Sequence, residues 1–402
     1  MPVASDGARM DEALVREKVA QARTAVAESS ADCWLTFARE TSEAAEPCLP
    51  YLLGFDVVWP SMVLVTADRS VVLLGRHDAP NAEALGVHEV VPYDESIAPA
   101  FEAFLDEARP DALALNYSTD DPVADGLTHG LYRRLRELLD ASGHDPALVS
   151  AADIVSQVRG VKTPTEHERV AAAAERTEAV LAAMADAWTP DWTEADVADF
   201  CHDRMREAGD GAAWSWDYCP TVHAGGAAEV GHTLPGDRTV PPGEVLHVDF
   251  GVVHEEYAAD LQRVWVREPA GGGVPDDLAA AFADVRAAID AGVAALEPGA
   301  VGHEVDAAAR EALTSRGWPE YQHGLGHQVG RSAHDGGTLL APQWDRYGDQ
   351  PRGTVRPGEI YTVELGVDTG FGYVGQEELL RVIDDGTEFV VEPQTALRTL
   401  DG

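Results

Sequence analysis

Lysine is nearly absent from the 402-residue chain, which contains only Lys18 and Lys162. The 29 Lys and Arg residues are outnumbered by 70 Asp and Glu residues, and the formal net charge is −41. A chain with this charge repels nucleic acid, so we predict no nucleic-acid partner. A strongly acidic surface is typical of proteins that work at high salt, where counterions screen the repulsion between carboxylates. The charge therefore predicts a halophilic protein and leaves its activity open.

Cysteines and long apolar runs are also scarce. The four cysteines form no C-x-x-C pair and are too few for a disulfide framework in a chain of this length. The first residues lack the apolar stretch of a signal peptide, and no run reaches the roughly 18 apolar residues of a membrane span. These absences predict reduced thiols and a soluble, cytoplasmic protein with no membrane partner.

The pattern of the segments predicts two domains, 1–158 and 159–402. In the first domain, an amphipathic helix over about 10–30 precedes short apolar runs that alternate with helical stretches at about 99–108 and 125–141. This alternation is typical of an α/β domain.

The second domain begins with a clear helix start. Thr163 can cap a helix in which Pro164 is the first residue, and Glu166 completes a T-x-x-E capping box, which predicts a helix over about 164–187. Thr193 can cap a second helix. Further helices are predicted at about 275–295 and 303–315, and strands at about 218–223, 244–253, 258–267, 358–367 and 373–383. This order predicts an α+β domain with antiparallel hairpins.

Asp249 and Asp260 belong to the first of two predicted hairpins that carry paired acids. They are eleven residues apart, and a turn centred between His254 and Glu255 would place them directly opposite each other on one face. Two carboxylates held this close repel each other unless a positive charge lies between them.

Glu364 and Glu377 form the second pair, thirteen residues apart around a turn centred between Gly370 and Phe371. Glycine at the first central position of the turn predicts type II′. Glu378, the rival partner of Glu364, would point to the other face.

A functional interpretation of the paired acids competes with a structural one. About one residue in six is acidic, so each pair taken alone also fits two carboxylates that face solvent. However, Asp249 lies in VLHVDFG and Glu364 lies in IYTVELG, two apolar strands in which an unpaired charge is costly. This setting favours a function for the two pairs together.

Three histidines, His323, His327 and His334, lie among glycines in YQHGLGHQVGRSAHD. Four carboxylates and an imidazole form a ligand set that suits two divalent ions such as Mn²⁺, Fe²⁺ or Co²⁺, with Zn²⁺ as a further candidate. One histidine can bind metal while the others act on substrate. The alternative for any single histidine is a place in the core or in a turn.

These motifs resemble the pita-bread metallopeptidase family M24, whose members include aminopeptidase P, prolidase and methionine aminopeptidase. The resemblance rests on the order of VDFG, AADLQR, HGLGHQVG, VELG and GQEELL and covers about residues 160–395. It implies a pita-bread catalytic domain after a smaller α/β domain like that of creatinase and aminopeptidase P. It also implies five ligands for two divalent metal ions, Mn²⁺ foremost: Asp249, Asp260, His327, Glu364 and Glu377.

The resemblance implies a reaction as well, namely hydrolysis of the peptide bond before proline in Xaa-Pro peptides by a hydroxide that bridges the two metals. Glu364 would take the proton of the water. Three histidines, His232, His323 and His334, would hydrogen-bond the substrate carbonyl or the tetrahedral intermediate. Relatives with the N-terminal domain are usually homodimers, so the resemblance implies a homodimer, with Trp59 as a candidate contact or, alternatively, a core residue.

Three positions depart from the family pattern. Gln262 replaces the threonine of D-x-T-R, Leu365 replaces the proline of E-P-G, and Gly375 replaces an arginine two residues before the last glutamate. In prolidase-like members that arginine helps to hold the substrate carboxylate, so its loss counts against a strict dipeptidase. Arg331 is a candidate replacement for substrate binding, and its alternative is a surface arginine paired with an acid.

Two other functions compete with peptide hydrolysis. The same fold in relatives acts on small osmolyte-type substrates by C–N hydrolysis or lyase chemistry, and some members are non-catalytic binding proteins. Creatinase-like members and the binding proteins lack the metal ligands, whereas all five ligand positions are filled here. The sequence therefore favours a metallopeptidase, and a metal-dependent lyase or an ectoine-type hydrolase stays open as the alternative.

Overall fold

The computed structural model describes residues 11–43, 45–228, 231, 233–269 and 271–400. The chain folds as an N-terminal unit, Met1–Arg159, and a C-terminal unit, Gly160–Gly402. Among the helices of the described residues, none combines the length and the apolar character needed to cross a bilayer.

A mixed six-stranded sheet forms the centre of the N-terminal unit. Its strands are β1 (Cys33–Ala38), β2 (Ser61–Val65), β3 (Ser70–Gly75), β4 (Glu89–Tyr93), β5 (Ala112–Leu115) and β6 (Ala147–Ser150). They lie in the order β4-β3-β2-β1-β5-β6. Trp34 of β1 contributes to one apolar core, and Leu35 and Phe37 contribute to another. A central strand covered on both faces needs the uninterrupted apolar run that this segment has.

The helices of this unit are α1 (Glu12–Glu28), α2 (Leu49–Leu52), α3 (Ala79–Leu85), α4 (Ala98–Ala108), α5 (His129–Ser142) and α6 (Ala152–Gly160). The predicted α/β class is confirmed. Helix α5 begins later than predicted because Thr128 caps it by accepting a hydrogen bond from the backbone N–H of Leu131, while Pro122–Ala124 form a separate 3-10 turn. Trp59 is 37% exposed and packs against Tyr93.

The described residues of the C-terminal unit form four α-helices and three small sheets. Its helices are α7 (Pro164–Ala187), α8 (Glu194–Ala208), α9 (Asp276–Ala295) and α10 (Gly302–Thr314), with 3-10 turns at Asp345–Tyr347 and Gln350–Arg352. Its strands are β7 (Gly211–Ala212), β8 (Thr221–Ala224), β9 (Val245–Phe250), β10 (Val252–His254), β11 (Tyr257–Ala258), β12 (Leu261–Arg267), β13 (Ile360–Thr369), β14 (Gly372–Ile383), β15 (Gly386–Phe389) and β16 (Arg398–Leu400). The sheets have the orders β11-β10-β7, β16-β12-β9-β8 and β13-β14-β15.

Local capping fixes where the first two helices of this unit begin. Thr163 and Glu166 form the predicted capping box at the start of α7, and Thr193 forms a second box with Asp196 at the start of α8. In each box the threonine hydroxyl accepts from a backbone N–H, and the acid accepts from the backbone N–H of the threonine. These starts were therefore readable from the sequence.

The first hairpin does not have the predicted register. Asp249 lies opposite Gln262, not opposite Asp260, because the chain reverses at Glu255 and Glu256. Both turn residues have left-handed backbones, with φ of 46° and 68°, which is uncommon for residues other than glycine. The displacement is two residues, so side-chain alternation keeps the two aspartates on one face.

The second hairpin has the predicted register. Glu364 lies directly opposite Glu377, and Gly370 and Phe371 form the two-residue turn. The predicted type II′ turn is wrong, because the positive φ at this turn, 124°, belongs to Gly372 and not to Gly370. The two hairpins thus each present carboxylates on one face.

Candidate functional site

A cavity of about 310 Å³ opens in the C-terminal unit beside the two hairpins. All five predicted ligand residues line it, together with one of the predicted catalytic histidines. The lining residues are Trp214, Ser215, Tyr218, Thr221, Asp249, Asp260, His327, Ala333, His334, Glu364 and Glu377. Residues far apart in sequence are therefore gathered around one volume.

Three of these residues have the geometry of a metal site. One donor atom from each of Asp260, His327 and Glu377 lies within 4.8 Å of the other two, and all three side chains are buried. The Nε2 atom of His327 is 3.8 Å from Oδ2 of Asp260 and also 3.8 Å from Oε1 of Glu364. Asp249 lines the same cavity, and its charge adds to burial in raising the pKa of Asp260.

Backbone pairing brings His327 to this position. The carbonyl oxygen of His327 accepts from the backbone N–H of Thr362, and its own N–H donates to the Thr362 hydroxyl. A Cβ atom on the preceding residue, Gly326, would lie 2.0 Å from the Thr362 carbonyl oxygen. Glycine is needed here because any side chain would push the histidine segment away from β13 and from Glu364.

Burial opposes ionisation of the four carboxylates. Burial raises the pKa of Asp249 to about 7, and burial together with the nearby Asp249 raises the pKa of Glu364 to about 8. Burial and the neighbouring carboxylates raise the pKa of Asp260 and of Glu377 well above their ordinary ranges. The ionised forms of these four carboxyl groups are therefore favoured only when cations lie among them.

The donor set fits divalent cations. Oδ1 of Asp249 and Oε1 of Glu377 are buried without a hydrogen-bond partner among the described residues. Burial, followed by the proximity of His334, lowers the pKa of His327 to about 3, so its imidazole is neutral at pH 7 and can offer a lone pair. Carboxylate oxygens with one imidazole suit hard or borderline divalent metals.

The two histidines that flank His327 lie in different surroundings. His334 lines the cavity, and its ring centroid is 4.2 Å from that of His327. His323 is exposed, lies 5.6 Å from the ring of Tyr321, and is not among the lining residues. His232, the third predicted catalytic histidine, lies outside the described residues.

Arg331 and Glu378 both lie away from the cavity. Arg331 pairs with Glu256 at 3.0 Å and is not among the lining residues. Glu378 points to the opposite face from Glu377, as predicted, and pairs with Arg263 at 3.2 Å and with Arg286 at 2.9 Å. The two adjacent glutamates thus have separate environments.

Sequence reasoning missed the wall of the cavity formed by Trp214, Ser215, Tyr218 and Thr221. The first three belong to the segment between β7 and β8, where the indole N–H of Trp214 donates to the carbonyl oxygen of Tyr218. The only sequence signal was the run of aromatics in WSWDY, which alternate with polar residues at the two-residue period of a strand although the segment forms turns and no strand. Its position beside the acidic residues follows from the tertiary fold.

Comparison with known proteins gives concordant matches. The profile of metallopeptidase family M24 matches residues 168–384. The chain is 26% identical over 261 residues to the uncharacterized peptidase YqhT of Bacillus subtilis, covering 64% of this chain and 67% of that protein. It is 29% identical over 211 residues to an Xaa-Pro dipeptidase of Lactobacillus delbrueckii subsp. lactis, covering 52% and 55%.

A solved structure shares the fold. The X-Pro aminopeptidase of Thermotoga maritima superposes with a TM-score of 0.72 at 22% identity, covering 94% of this chain and 99% of that chain. The predicted architecture, an α/β unit followed by a pita-bread unit, is thereby confirmed.

Proposed function

The chain belongs to metallopeptidase family M24, and we propose that it hydrolyses the peptide bond before proline in small Xaa-Pro peptides. One observation carries the proposal: two buried carboxylates, two half-buried carboxylates and a neutral imidazole converge on a cavity of about 310 Å³. The preference for proline is supported by the names of the relatives, the Xaa-Pro dipeptidase and the X-Pro aminopeptidase.

We assign the metal ligands to Asp249, Asp260, His327, Glu364 and Glu377. Two divalent ions held there, with Mn²⁺ as our first choice, would polarise the scissile carbonyl and activate a water molecule. The paired carboxylates hold the positive charge in place, and the neutral imidazole of His327 adds a nitrogen ligand.

The remaining chemistry belongs to side chains beside the ligands. Glu364 accepts the proton of the attacking water and passes it towards the leaving amine. His334, which faces the same cavity, donates a hydrogen bond to the carbonyl oxygen on which negative charge develops. For His232 and His323 the roles implied by the resemblance remain predictions.

The walls of the cavity match the substrate class. Trp214 and Tyr218 supply aromatic surface on one side, and Ala333 supplies a small apolar contact. An apolar wall beside a polar reaction centre holds a ring such as proline by burying its surface while leaving the carbonyl at the carboxylates.

Hydrolysis of Ala-Pro-Ala and of Ala-Pro by protein supplied with Mn²⁺, compared with protein treated with a chelator, tests the proposal. Ala-Ala-Ala serves as the control peptide, and the assay is run at low and at molar KCl because the proposal includes a halophilic enzyme. We expect metal-dependent cleavage before proline. Cleavage no faster than in the chelated sample would overturn the assignment.

A pair of variants distinguishes the loss of a catalytic group from a general loss of folding. Glu364→Gln should lower kcat at least about a hundredfold, because it removes the proton acceptor. Glu378→Gln is the matched control, since this buried glutamate pairs with arginines on the opposite face. It should lower Tm, because it removes a charge from a buried ion pair, but the folded variant should retain hydrolysis within a few-fold. Equal losses in the two variants would contradict the role given to Glu364. Turnover of creatine-like or ectoine-like solutes without peptide cleavage would favour the small-molecule alternative.

A further inference from the structure

A line of hydrogen bonds leads from the metal site into the sheet behind it. The side-chain Nε2 of Gln262 donates to Oε2 of Glu364 at 2.6 Å. Oε1 of Gln262 lies 3.0 Å from Nε2 of His247, and the two Nδ1 atoms of His247 and His223 are 3.1 Å apart. All of these residues except Glu364 are buried. We call His223, His247 and Gln262 the histidine–glutamine string.

The chemistry of the groups fixes their order. An ionised Glu364 only accepts hydrogen bonds, so Gln262 must present its amide nitrogen to it. The amide oxygen then faces His247, which must carry its proton on Nε2. The Nδ1 of His247 is therefore an acceptor for the Nδ1–H of His223. A neutral His223 then carries no proton on Nε2, so the 3.2 Å between this atom and the carbonyl oxygen of Gly231 is a contact and not a hydrogen bond. Each group thus holds the next in a single orientation, and the end of the line is a carboxylate oxygen of Glu364.

Gly375 makes room for this arrangement. A Cβ atom at Gly375 would lie 2.7 Å from Nε2 of His247, 2.8 Å from Oε1 of Gln262 and 2.5 Å from Cε1 of Tyr373. The space beside β14 is therefore filled by the string and by the ring of Tyr373, which lies 4.9 Å from the ring of His247. Gln262 and Gly375, which both depart from the family pattern, therefore belong to one local arrangement. A side chain at position 375 would displace the amide group of Gln262.

We propose that Gln262, held by His247 and His223, is a positioning residue that fixes Glu364 for metal binding and proton transfer, and that Gly375 is required for it. The proposal rests on the proposed function in that Glu364 is taken as a metal ligand. Partners that orient a ligand from behind contribute about 10–100-fold to metal affinity or activity.

Calorimetric titration with Mn²⁺ and steady-state hydrolysis of Ala-Pro-Ala test this role on the full chain. Gln262→Met keeps the length of the side chain and removes the donor. We expect Mn²⁺ affinity to fall about 10–100-fold and kcat to fall with it, with a smaller change in KM. His247→Leu removes the partner that holds Gln262 and should act in the same direction. The double variant should be little worse than either single variant, since both break one string.

Gln376→Met is the matched control. Like Gln262, Gln376 is a buried amide, but it lies on β14, its nitrogen donates to the carbonyl oxygen of Phe282, and its side chain points to the opposite face of the hairpin from Glu364 and Glu377. It should leave Mn²⁺ affinity within about twofold, and thermal unfolding reports whether each variant folds. Unchanged Mn²⁺ affinity in both Gln262→Met and His247→Leu would overturn the proposal, as would an additive double variant.

The titration also separates this inference from the proposed function. A native chain that binds Mn²⁺ but cleaves no Xaa-Pro peptide would refute the substrate assignment, while the difference between Gln262→Met and Gln376→Met in Mn²⁺ affinity would still decide the positioning role.

Discussion

Replacing Lys162 by methionine should destabilise the C-terminal unit strongly. The ammonium nitrogen of Lys162 lies 2.9 Å from Oδ2 of Asp335, and both side chains are 0% exposed. The pair ties the segment before α7 to the residue that follows His334. A Cβ atom at Gly330 would lie 2.1 Å from Oδ2 of Asp335, so the carboxylate is closely surrounded.

The magnitude follows from burial. Removing the cation from a buried carboxylate costs about 3–5 kcal/mol, because the remaining charge is not solvated. For a unit of this size each kcal/mol lowers Tm by roughly 2–4 °C, so Lys162→Met should lower Tm by roughly 6–20 °C. The double variant Lys162→Met/Asp335→Leu removes both charges and should be more stable than Lys162→Met alone.

Thermal unfolding followed by circular dichroism measures these differences, with urea unfolding as a second probe. Arg204→Gln is the control, because Arg204 and Glu207 form an ion pair with side chains 44% and 61% exposed, which contributes about 0–1 kcal/mol. A loss below about 1 kcal/mol in Lys162→Met, or a double variant less stable than the single one, would refute the reasoning.

Three further predictions concern other parts of the chain. Burial raises the pKa of Glu46 from 4.5 to about 7; the folded state therefore keeps a proton that the unfolded state loses, and stability falls by up to about 3 kcal/mol as pH rises from 4.5 to 7. Urea unfolding across this window should show a smaller fall in Glu46→Gln, and identical pH profiles would contradict the assignment. Because Lys18 and Lys162 are both buried, an amine-reactive reagent followed by peptide mass spectrometry should modify neither lysine in the native protein and both after denaturation. Gly326→Ala should weaken Mn²⁺ binding by displacing His327, whereas Gly130→Ala, where a Cβ meets nothing within 4 Å, should not.

Features set by local rules could be predicted from the sequence. The capping box at Thr163 defined the start of α7, and the odd spacing of Glu364 and Glu377 around a two-residue turn defined their pairing. The predicted register of Asp249 and Asp260 was wrong by two residues. Their predicted position on one face of the hairpin was still correct, because side chains alternate between the faces and a shift of two residues keeps the face.

Features set by tertiary packing could not be predicted. The left-handed Glu255 and Glu256 carry no sequence signal for the turn that they form. The aromatic wall and the contact between Gln262 and Glu364 join segments that are distant along the chain. Gln262 and Gly375 each depart from the family pattern. Only the fold shows that the side chain of Gln262 occupies the space beside Gly375.

The metal content of the purified protein tests the central claim most directly. After loading with Mn²⁺ and removal of free metal, elemental analysis should find two ions per chain, and fewer in Asp260→Asn and in Glu377→Gln, with Glu378→Gln unchanged. A native chain that retains no divalent ion, or whose metal content is unaffected by Asp260→Asn and Glu377→Gln, would contradict the account.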